Sequence, residues 1–327
     1  MKISVIGSGS FGTALSILLV NKGHDVTIYG RNKAQMDMIK ATKGNHKYLP
    51  GVILPDGLKC TSDLNEAVKD CELAVMSVPA QSLRSVLKEI VQIRSYLPMV
   101  NVAKGLEIGS LKRMSEIASE YFPNVPFACL SGPSHAEEVA RNLPTTVSVA
   151  SDDMDFALLV QSVFMDESFR VYTNSDLVGV ELGGAIKNVI ALCCGISDGL
   201  GLGDNAKAAL ITRGIAEMTR LGIAMGGKPE TFAGLSGIGD LVVTCTSMHS
   251  RNRRFGILLG QGTPIKEALD KIGMVVEGYT TQEAANELAL KYNVEMPITF
   301  TLHKLLSGEA DAEECIGLLM GRKGKHE

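Results

Sequence analysis

The stretch that decides the fold opens the chain: Met1-Lys2-Ile3-Ser4-Val5-Ile6-Gly7-Ser8-Gly9-Ser10-Phe11-Gly12. Its apolar run Ile3–Ile6 is typical of a buried strand, and the residues after Gly12 have the spacing of a helix. The glycines between strand and helix form a G-x-G-x-x-G motif. In that context Gly7 permits a tight turn, Gly9 lets backbone N–H groups approach a pyrophosphate, and Gly12 lets helix and strand pack closely. We therefore predict a pyrophosphate-binding turn, for which a purely structural glycine turn is the alternative.

Short strand-like runs alternate with helical patterns over the first half of the chain. The predicted strands are mostly continuous apolar runs, typical of a parallel sheet buried on both faces: Ile3–Ile6, Asp25–Tyr29, Leu73–Val78 and Met99–Ala103. Helical spacing is found between them in Phe11–Lys22, Leu64–Lys69 and Gln81–Ile93. Further strand-like runs extend the pattern at Phe127–Leu130, Thr145–Ala150 and Phe169–Tyr172. This alternation predicts a doubly wound α/β sheet of the Rossmann type.

The pattern changes after about Asn174, where long helical segments replace the alternation. These segments are Val178–Ile196, Ala206–Met225, Ile265–Lys271, Thr281–Tyr292 and Ile298–Leu306. Few β-branched alternating runs interrupt them, so we predict an all-helical second domain. The predicted boundary places a dinucleotide-binding domain at residues 1–178 and a substrate-binding, catalytic domain at residues 179–327.

Length and composition exclude several classes of protein. The chain has 327 residues, 45% of them hydrophobic and 21% charged, which argues against a disordered or fibrous protein. Its net charge of -4 argues against a nucleic-acid-binding protein. The cysteines show no spacing typical of a disulfide framework or a zinc site, so we expect reduced thiols and no bound metal. No uncharged apolar segment approaches the roughly 18 residues of a membrane span, and we expect a cytoplasmic protein.

The end of the second predicted strand bears on the choice of cofactor. An NAD-selective site usually has an acidic residue there that holds the ribose 2′-hydroxyl, whereas this chain has Tyr29-Gly30-Arg31-Asn32. A guanidinium can pair with a 2′-phosphate through charge-assisted hydrogen bonds. We therefore predict NADP(H) as the favoured cofactor and NAD(H) as a tolerated second one. The alternative is that Arg31 is a solvated residue at the start of the next helix.

Polar residues interrupt the apolar segment Val178–Ile196 at Lys187-Asn188. Burial disfavours a charged ammonium, so we expect Lys187 to titrate below the usual lysine pKa of about 10.4, which suits proton transfer to or from a hydroxyl. The preceding Gly183-Gly184 would let a cofactor or another helix approach closely. A lysine that snorkels to water is the alternative, but it explains neither the adjacent amide nor the paired glycines.

Other segments combine polar side chains with glycine or proline. Lys104 follows an apolar strand, at the edge where doubly wound folds bind ligands, and Ser131-Gly132-Pro133-Ser134-His135 follows another strand. A glycine-rich turn delivers Asp240 and Thr244. The segment Ser250-Arg251-Asn252-Arg253-Arg254 predicts a phosphate pocket, with a solvated basic helix start as the alternative. A lone histidine without a visible carboxylate partner is more often structural, so His135 is not included among the predicted site residues.

With these segments in order, the chain resembles the bacterial-type NAD(P)-dependent glycerol-3-phosphate dehydrogenases over nearly its whole length. The resemblance is carried by the segments Gly7–Ala14, Val102–Gly105, Ser131–Ser134, Gly184–Asn188, Gly237–Leu241, Ser250–Asn252 and Val276–Gly278. It implies reversible hydride transfer between NAD(P)H and C2 of dihydroxyacetone phosphate, giving sn-glycerol 3-phosphate for phospholipid backbones. It also implies a Rossmann domain followed by an all-helical domain like that of 6-phosphogluconate dehydrogenases, and a homodimer.

The resemblance also implies roles for individual residues. Lys187 matches the family's catalytic acid or base, and the residues that would orient the lysine and substrate are Asn188, Asp240 and Thr244. Substrate positions are matched by Lys104, Gly132, Ser134, Lys187, Asp240, Ser250, Arg251 and Asn252. Cofactor positions are matched by Ser10, Phe11, Arg31, Lys104, Ala136, Arg251, Val275 and Glu277, and the glycine motif adds Gly7, Gly9 and Gly12. Phe11 departs from the family, in which this position is frequently tryptophan; we expect altered stacking there, although an aromatic face remains.

Two other functions remain open on the sequence. One is a dehydrogenase on the same two-domain plan that acts on a hydroxy acid or sugar acid, which would not need the Ser250-Arg251-Asn252 cluster for a phosphate. The other is a non-catalytic NADPH-binding sensor, which would not need a buried Lys187-Asn188 pair. Substitution of Lys187 separates an enzyme from the sensor, because only the enzyme would lose its function.

Overall fold

The structure is a computed structural model that describes residues 1–324, and it divides the chain into two units. The first unit consists of Met1–Lys104 and Lys112–Glu181. The second consists of Gly105–Leu111 and the chain from Leu182 onward. The last three residues of the predicted second domain, 325–327, lie outside the described residues. The segment Gly105–Leu111 belongs to the second unit, although in the sequence it lies between the two parts of the first unit.

An eight-stranded sheet forms the centre of the first unit. Its strands are β1 (Lys2–Ile6), β2 (Asp25–Tyr29), β3 (Lys59–Thr61), β4 (Leu73–Met76), β5 (Met99–Asn101), β6 (Phe127–Ser131), β7 (Thr145–Ala150) and β8 (Phe169–Asn174). They lie in the order β3-β2-β1-β4-β5-β6-β7-β8, and all neighbouring pairs are parallel except β6 and β7. The predicted Rossmann-type sheet is confirmed, with β3 as an additional strand and β7 reversed in direction relative to β6.

The reversal at β7 follows from the connection that precedes it. Between β6 and β7 the chain makes a single helical turn, α6 (Ala136–Val139). A parallel return needs a crossover, usually a helix that runs back along the sheet. β8 has such a crossover, α7 (Met154–Phe164), and it pairs with β7 in parallel.

Helices cover both faces of this sheet because successive strand residues point to opposite faces. In β1, Ile3 and Val5 belong to one apolar cluster with residues of α1 (Ser10–Asn21) and α7, whereas Ile6 belongs to a second cluster with residues of α4 (Leu83–Ile93). The remaining helices of the unit are α2 (Lys33–Thr42), α3 (Leu64–Val68) and α5 (Met114–Tyr121), and a 3-10 turn, Ala80–Ser82, precedes α4.

The second unit is helical, and no strand occurs in its residues 105–111 and 182–324. Its helices are α8 (Leu177–Gly199), which begins in the first unit, α9 (Gly203–Ala224), α10 (Pro229–Phe232), α11 (Asp240–Thr246), α12 (Arg251–Gly260), α13 (Ile265–Ile272), α14 (Glu277–Lys291), α15 (Pro297–Ser307) and α16 (Ala312–Met320). A π-helical turn, Leu235–Gly239, leads into α11. The all-helical second domain predicted from the sequence is confirmed.

Most of helix α8 is buried inside the protein. By length and composition it could cross a membrane, with a mean hydropathy of 1.6 over its most apolar window, but 89% of that window is buried inside the protein. It packs against α12 at very short range, since a Cβ placed on Gly256 would lie 2.2 Å from the Leu192 carbonyl oxygen. Burial and packing of this kind are typical of a core helix.

Candidate functional site

The glycine turn between β1 and α1 has the geometry that a pyrophosphate-binding loop requires. Gly7 has a φ of +121°, and a Cβ there would lie 2.4 Å from the Ser77 carbonyl oxygen, so a larger residue does not fit. A Cβ on Gly12 would lie 2.1 Å from the Gly7 carbonyl oxygen, which is the close approach of helix and strand. A Cβ on Gly9 would meet nothing within 4 Å, so open space adjoins the N-terminus of α1. An anion in that space would face the first N–H groups of the helix.

Three other predicted cofactor residues lie in α1 and α6, which contact each other. Ser10 is the first residue of α1, but its hydroxyl donates a hydrogen bond of 2.5 Å to the Tyr48 carbonyl oxygen. Its backbone N–H is therefore the group that remains for an anion. Phe11 is half-buried against the apolar cluster on this face of the sheet, and Ala136, the first residue of α6, is buried in the same cluster.

Arg31 lies in the loop after β2 and is exposed to solvent. Asn32 caps α2 by accepting a hydrogen bond of 3.0 Å from the Gln35 N–H, which fixes the path of the chain just after Arg31. Burial, assisted by the charge of Glu89, raises the pKa of Tyr29 at the end of β2, while Arg31 opposes that shift. Arg31 therefore supplies an accessible positive charge at the position where an acidic residue would select NAD.

Lys104, Gly132 and Ser134 come together in the first unit. The Lys104 ammonium, beyond the end of β5, donates a hydrogen bond of 2.9 Å to the Gly132 carbonyl oxygen. The Ser134 hydroxyl donates to the same oxygen at 2.9 Å. Gly132 has a φ of +148°, and a Cβ there would lie 2.9 Å from the Val147 Cα, so the loop after β6 requires glycine. These predicted substrate residues thus share one hydrogen-bonded cluster at the carboxyl ends of β5 and β6.

A second cluster, in the second unit, is centred on Lys187. The Lys187 side chain is 6% exposed, and its ammonium forms an ion pair with the Asp240 carboxylate, which is 2% exposed. The ammonium also donates a hydrogen bond of 2.7 Å to the Thr244 hydroxyl. Thr244 in turn donates a hydrogen bond of 2.6 Å to the Asp240 backbone carbonyl oxygen. Lys187 is therefore a buried cation with a carboxylate partner, and it does not snorkel to water.

Close packing of α8 against the π-helical turn places this ion pair. A Cβ on Gly183, one turn before Lys187, would lie 2.6 Å from the Ser236 carbonyl oxygen in that turn. The turn leads directly into α11, whose first residue is Asp240. The hydrogen-bonded thiol of Cys194, together with burial, raises the pKa of the Cys245 thiol well above its usual range, so this sulfur stays protonated. Cys245 therefore adds no charge to the cluster.

Asn188 and Asn252 form a chain of amides beside this cluster. Asn252 Nδ2 donates a hydrogen bond of 2.9 Å to Asn188 Oδ1, and Asn252 Oδ1 accepts one of 2.8 Å from the Gly278 N–H near the start of α14. Asn188 also donates to the Gly184 carbonyl oxygen at 3.3 Å. The remaining predicted cofactor residues flank the N-cap of α14: Val275 is exposed and Glu277 is half-buried. The amide chain thus joins α8, α12 and α14.

The basic segment uses its arginines differently. Ser250 caps α12 by accepting a hydrogen bond of 3.2 Å from the Arg253 N–H, and Arg251 is the first residue of the helix. The Arg253 guanidinium lies 2.7 Å from the Asp198 carboxylate and donates a hydrogen bond of 2.7 Å to the Thr246 carbonyl oxygen. Arg253 is therefore engaged in contacts that join α12 to α8 and α11, while Arg251 lies at the helix N-terminus.

Both halves of the chain match known family models. The N-terminal model of the NAD-dependent glycerol-3-phosphate dehydrogenases matches residues 2–157, and the C-terminal model of the same family matches residues 176–317. The chain belongs to the NAD-dependent glycerol-3-phosphate dehydrogenase family.

Relatives of this dehydrogenase family match over the full length. A glycerol-3-phosphate dehydrogenase (NAD(P)+) of Desulfitobacterium hafniense is 52% identical, over 100% of this chain and 93% of the relative. The enzyme of the same name from Clostridium acetobutylicum is 51% identical, over 99% of this chain and 98% of the relative. The crystal structure of glycerol-3-phosphate dehydrogenase from Coxiella burnetii is 40% identical, with a TM-score of 0.95 over 98% of this chain and 99% of that structure.

Two contacts in the structure were not indicated by sequence reasoning. Asn45 donates a hydrogen bond to the glycine turn, and the Asp198 carboxylate forms an ion pair with the Arg253 guanidinium. Neither belongs to a motif, and Asn45 lies in a loop whose contacts depend on the folded chain. Within residues 1–324 no group of three or more His, Cys, Asp and Glu side chains could hold a metal ion.

Proposed function

We propose that the chain catalyses the reversible, NAD(P)H-dependent reduction of dihydroxyacetone phosphate to sn-glycerol 3-phosphate. The observation that carries the proposal is the buried ion pair of Lys187 and Asp240, which the Thr244 hydroxyl joins. Burial of two charges is costly and gives little net stability, so such a pair in a dehydrogenase points to catalysis. Family membership and the glycine turn support a nicotinamide dinucleotide as the second reactant.

Lys187 is the proposed general acid in the reduction and the general base in the reverse reaction. As the C2 carbonyl is reduced, negative charge develops on its oxygen, and Lys187 would donate a proton to that oxygen. Asp240 holds the ammonium by charge and Thr244 by its hydroxyl, so the lysine is oriented before the substrate binds. Asn188, the next residue of α8, is proposed to orient the substrate together with Asp240.

Ser250, Arg251 and Asn252 are the proposed phosphate-binding residues. They lie at the N-terminus of α12, where the helix dipole and the first N–H groups favour an anion. Asn252 uses one amide hydrogen for Asn188, and an amide carries two, so the second would serve a phosphate oxygen. Because the phosphate is remote from C2, its binding energy can position the reacting carbon. Further proposed substrate contacts are Lys104, Gly132 and Ser134.

The cofactor is proposed to bind along the glycine turn, with NADP(H) favoured over NAD(H). When bound, the nicotinamide supplies or accepts the hydride. Open space adjoins Gly9, where a pyrophosphate would face the N-terminus of α1, and the exposed Arg31 would pair with a 2′-phosphate. The other proposed cofactor contacts are Gly7, Ser10, Phe11, Gly12, Lys104, Ala136, Arg251, Val275 and Glu277.

The proposal includes the cellular setting. We propose a cytoplasmic homodimer whose product supplies glycerophospholipid synthesis. Within each chain, residues 1–178 would bind the dinucleotide, and residues 179–327 would bind substrate and carry out proton transfer. Size-exclusion chromatography with light scattering would measure the mass in solution, for comparison with 34.9 kDa for one chain.

The first experiment mixes purified protein with dihydroxyacetone phosphate and follows the absorbance of NADPH or NADH in parallel. We expect rapid consumption that requires the phosphate ester, and little consumption with free dihydroxyacetone, because the proposed phosphate contacts would be unused. A faster reaction with NADPH would support the assignment of Arg31. Folded protein that binds NADPH but consumes neither cofactor would contradict the proposed substrate. Turnover of a hydroxy acid or sugar acid in its place would support the rival dehydrogenase.

A further inference from the structure

A loop outside the predicted site lies against the glycine turn. Between α2 and β3, residues 43–58 form no regular helix or strand, yet Asn45 within them is 1% exposed. Asn45 Nδ2 donates a hydrogen bond of 2.8 Å to the Ser8 carbonyl oxygen and another of 2.8 Å to the Thr13 hydroxyl. The same loop is tied to the turn a second time, because the Ser10 hydroxyl donates to one of its backbone carbonyl oxygens.

The bond to Ser8 fixes the direction of the next N–H group. In a planar trans peptide, the carbonyl oxygen of one residue and the N–H of the following residue point in opposite directions. Because Asn45 holds the Ser8 carbonyl oxygen, the Gly9 N–H points away from Asn45. Gly9 is also where an added Cβ would meet no atom within 4 Å, so open space adjoins this residue.

The contact with the Ser8 carbonyl oxygen requires a hydrogen-bond donor at position 45. A carbonyl oxygen only accepts hydrogen bonds, so the Asn45 atom that faces Ser8 is the nitrogen. Its two hydrogens serve Ser8 and Thr13, whereas Asn45 Oδ1 is buried and has no hydrogen-bond partner within the described chain. An unsatisfied buried acceptor is destabilising. The Asn45 side chain therefore contributes through the two hydrogen bonds that it donates.

We infer that Asn45 is a positioning residue for the cofactor pyrophosphate. It directs the Gly9 N–H at the anion and ties that peptide to the first turn of α1 through Thr13. This inference rests on the proposed dinucleotide-binding function of the turn, and it adds a residue outside the glycine motif. The motif supplies the backbone donor, and Asn45 sets its direction.

The test measures the dissociation constant of NADPH for purified protein without substrate, by calorimetry or fluorescence quenching. Asn45→Leu keeps the approximate size of the side chain and removes both donors. We expect NADPH to bind roughly 10- to 100-fold more weakly, as loss of two positioning hydrogen bonds implies. Adenosine 2′-monophosphate lacks the pyrophosphate, so its dissociation constant, measured in the same way, should change by less than about twofold.

A second variant and a control keep the test decisive if Asn45→Leu does not fold. Thr13→Val removes one acceptor of the Asn45 amide at nearly constant shape, and we expect a smaller loss of NADPH affinity. Ser151→Ala removes a buried hydroxyl that donates a hydrogen bond of 2.7 Å to the Phe127 carbonyl oxygen, and it should leave NADPH affinity unchanged.

The outcomes separate the inference from the function on which it rests. Unchanged NADPH affinity in folded Asn45→Leu would overturn the role of Asn45, as would equal weakening of NADPH and adenosine 2′-monophosphate. If Asn45→Leu does not fold, unchanged affinity in Thr13→Val would overturn it. Wild-type protein that fails to bind NADPH would instead remove the proposed dinucleotide function itself.

Discussion

Substitution of Lys187 should affect both turnover and the stability of the fold. Lys187→Ala should lower kcat by roughly 10²- to 10⁴-fold, because the proton donor to the substrate oxygen is lost. The same change leaves the Asp240 carboxylate buried without its cation, so we expect unfolding to become easier by about 3–5 kcal/mol. NADPH affinity should be nearly unchanged. Steady-state kinetics, urea unfolding and NADPH titration measure the three effects.

The double variant Lys187→Ala/Asp240→Asn serves as the control. Neutralising the carboxylate should restore part of the stability without restoring turnover, because the amide supplies no proton donor of suitable strength. Near-normal turnover in Lys187→Ala would remove this residue from the mechanism, and another group would then have to donate the proton.

Arg31 decides the proposed cofactor preference. Arg31→Ala should raise the KM for NADPH by roughly 10- to 100-fold and leave the KM for NADH within about twofold, since only NADPH carries the 2′-phosphate. Lys266→Ala, at an exposed cation on α13, is the control for the loss of one surface charge. Equal changes for both cofactors would show that Arg31 does not read the 2′-phosphate.

At the scale of elements, the sequence predicted those helices, strands and turns whose residues form a clear pattern along the chain. The glycine turn was predicted because strand, motif and helix adjoin in sequence, and α8 was predicted because most of its residues are buried. Helix α2 was missed because it buries only Met36 and Ile39, which leaves a weak periodic signal. The strand β7 was predicted but its antiparallel pairing with β6 was not, because the residues of a strand do not determine its direction relative to its neighbours. The sequence motifs also left open that Arg253 binds Asp198, which depends on how α8 and α12 pack.

The packing of α8 against α12 makes a prediction at this scale. Gly256→Ala should destabilise the protein by about 1–3 kcal/mol, because the added Cβ would lie 2.2 Å from the Leu192 carbonyl oxygen and the two helices must move apart. Gly317→Ala in α16 is the matched control: its Cβ would meet nothing within 4 Å, so it should stabilise by about 0.5–1 kcal/mol. Urea unfolding of both variants tests the opposite signs. Equal stability changes would show that the helices do not approach so closely.

At the scale of the whole molecule, one buried acid should link stability to pH. Glu217 on α9 accepts hydrogen bonds from the Ile298 N–H at 2.6 Å and the Thr299 N–H at 3.2 Å, at the start of α15. Burial nevertheless raises the pKa of Glu217 from 4.5 to about 7. Between these values the folded protein binds more protons at this site than the unfolded chain. The contribution of Glu217 to the free energy of unfolding therefore falls as pH rises through this window and is constant above it.

Glu217→Gln should remove this pH dependence. One pKa unit corresponds to about 1.4 kcal/mol, so the stability of the variant relative to wild type should increase by about 2–3 kcal/mol between pH 5 and pH 8. The amide resembles the protonated acid, which is why the two proteins should be most alike at the acidic end. Urea unfolding at several pH values measures the difference, and Glu230→Gln, at an exposed acid on α10, should show no such trend. If wild type and Glu217→Gln lose stability in parallel across this window, the Glu217 carboxyl is already ionised in the folded protein near pH 5, and its hydrogen bonds to α15 outweigh its burial.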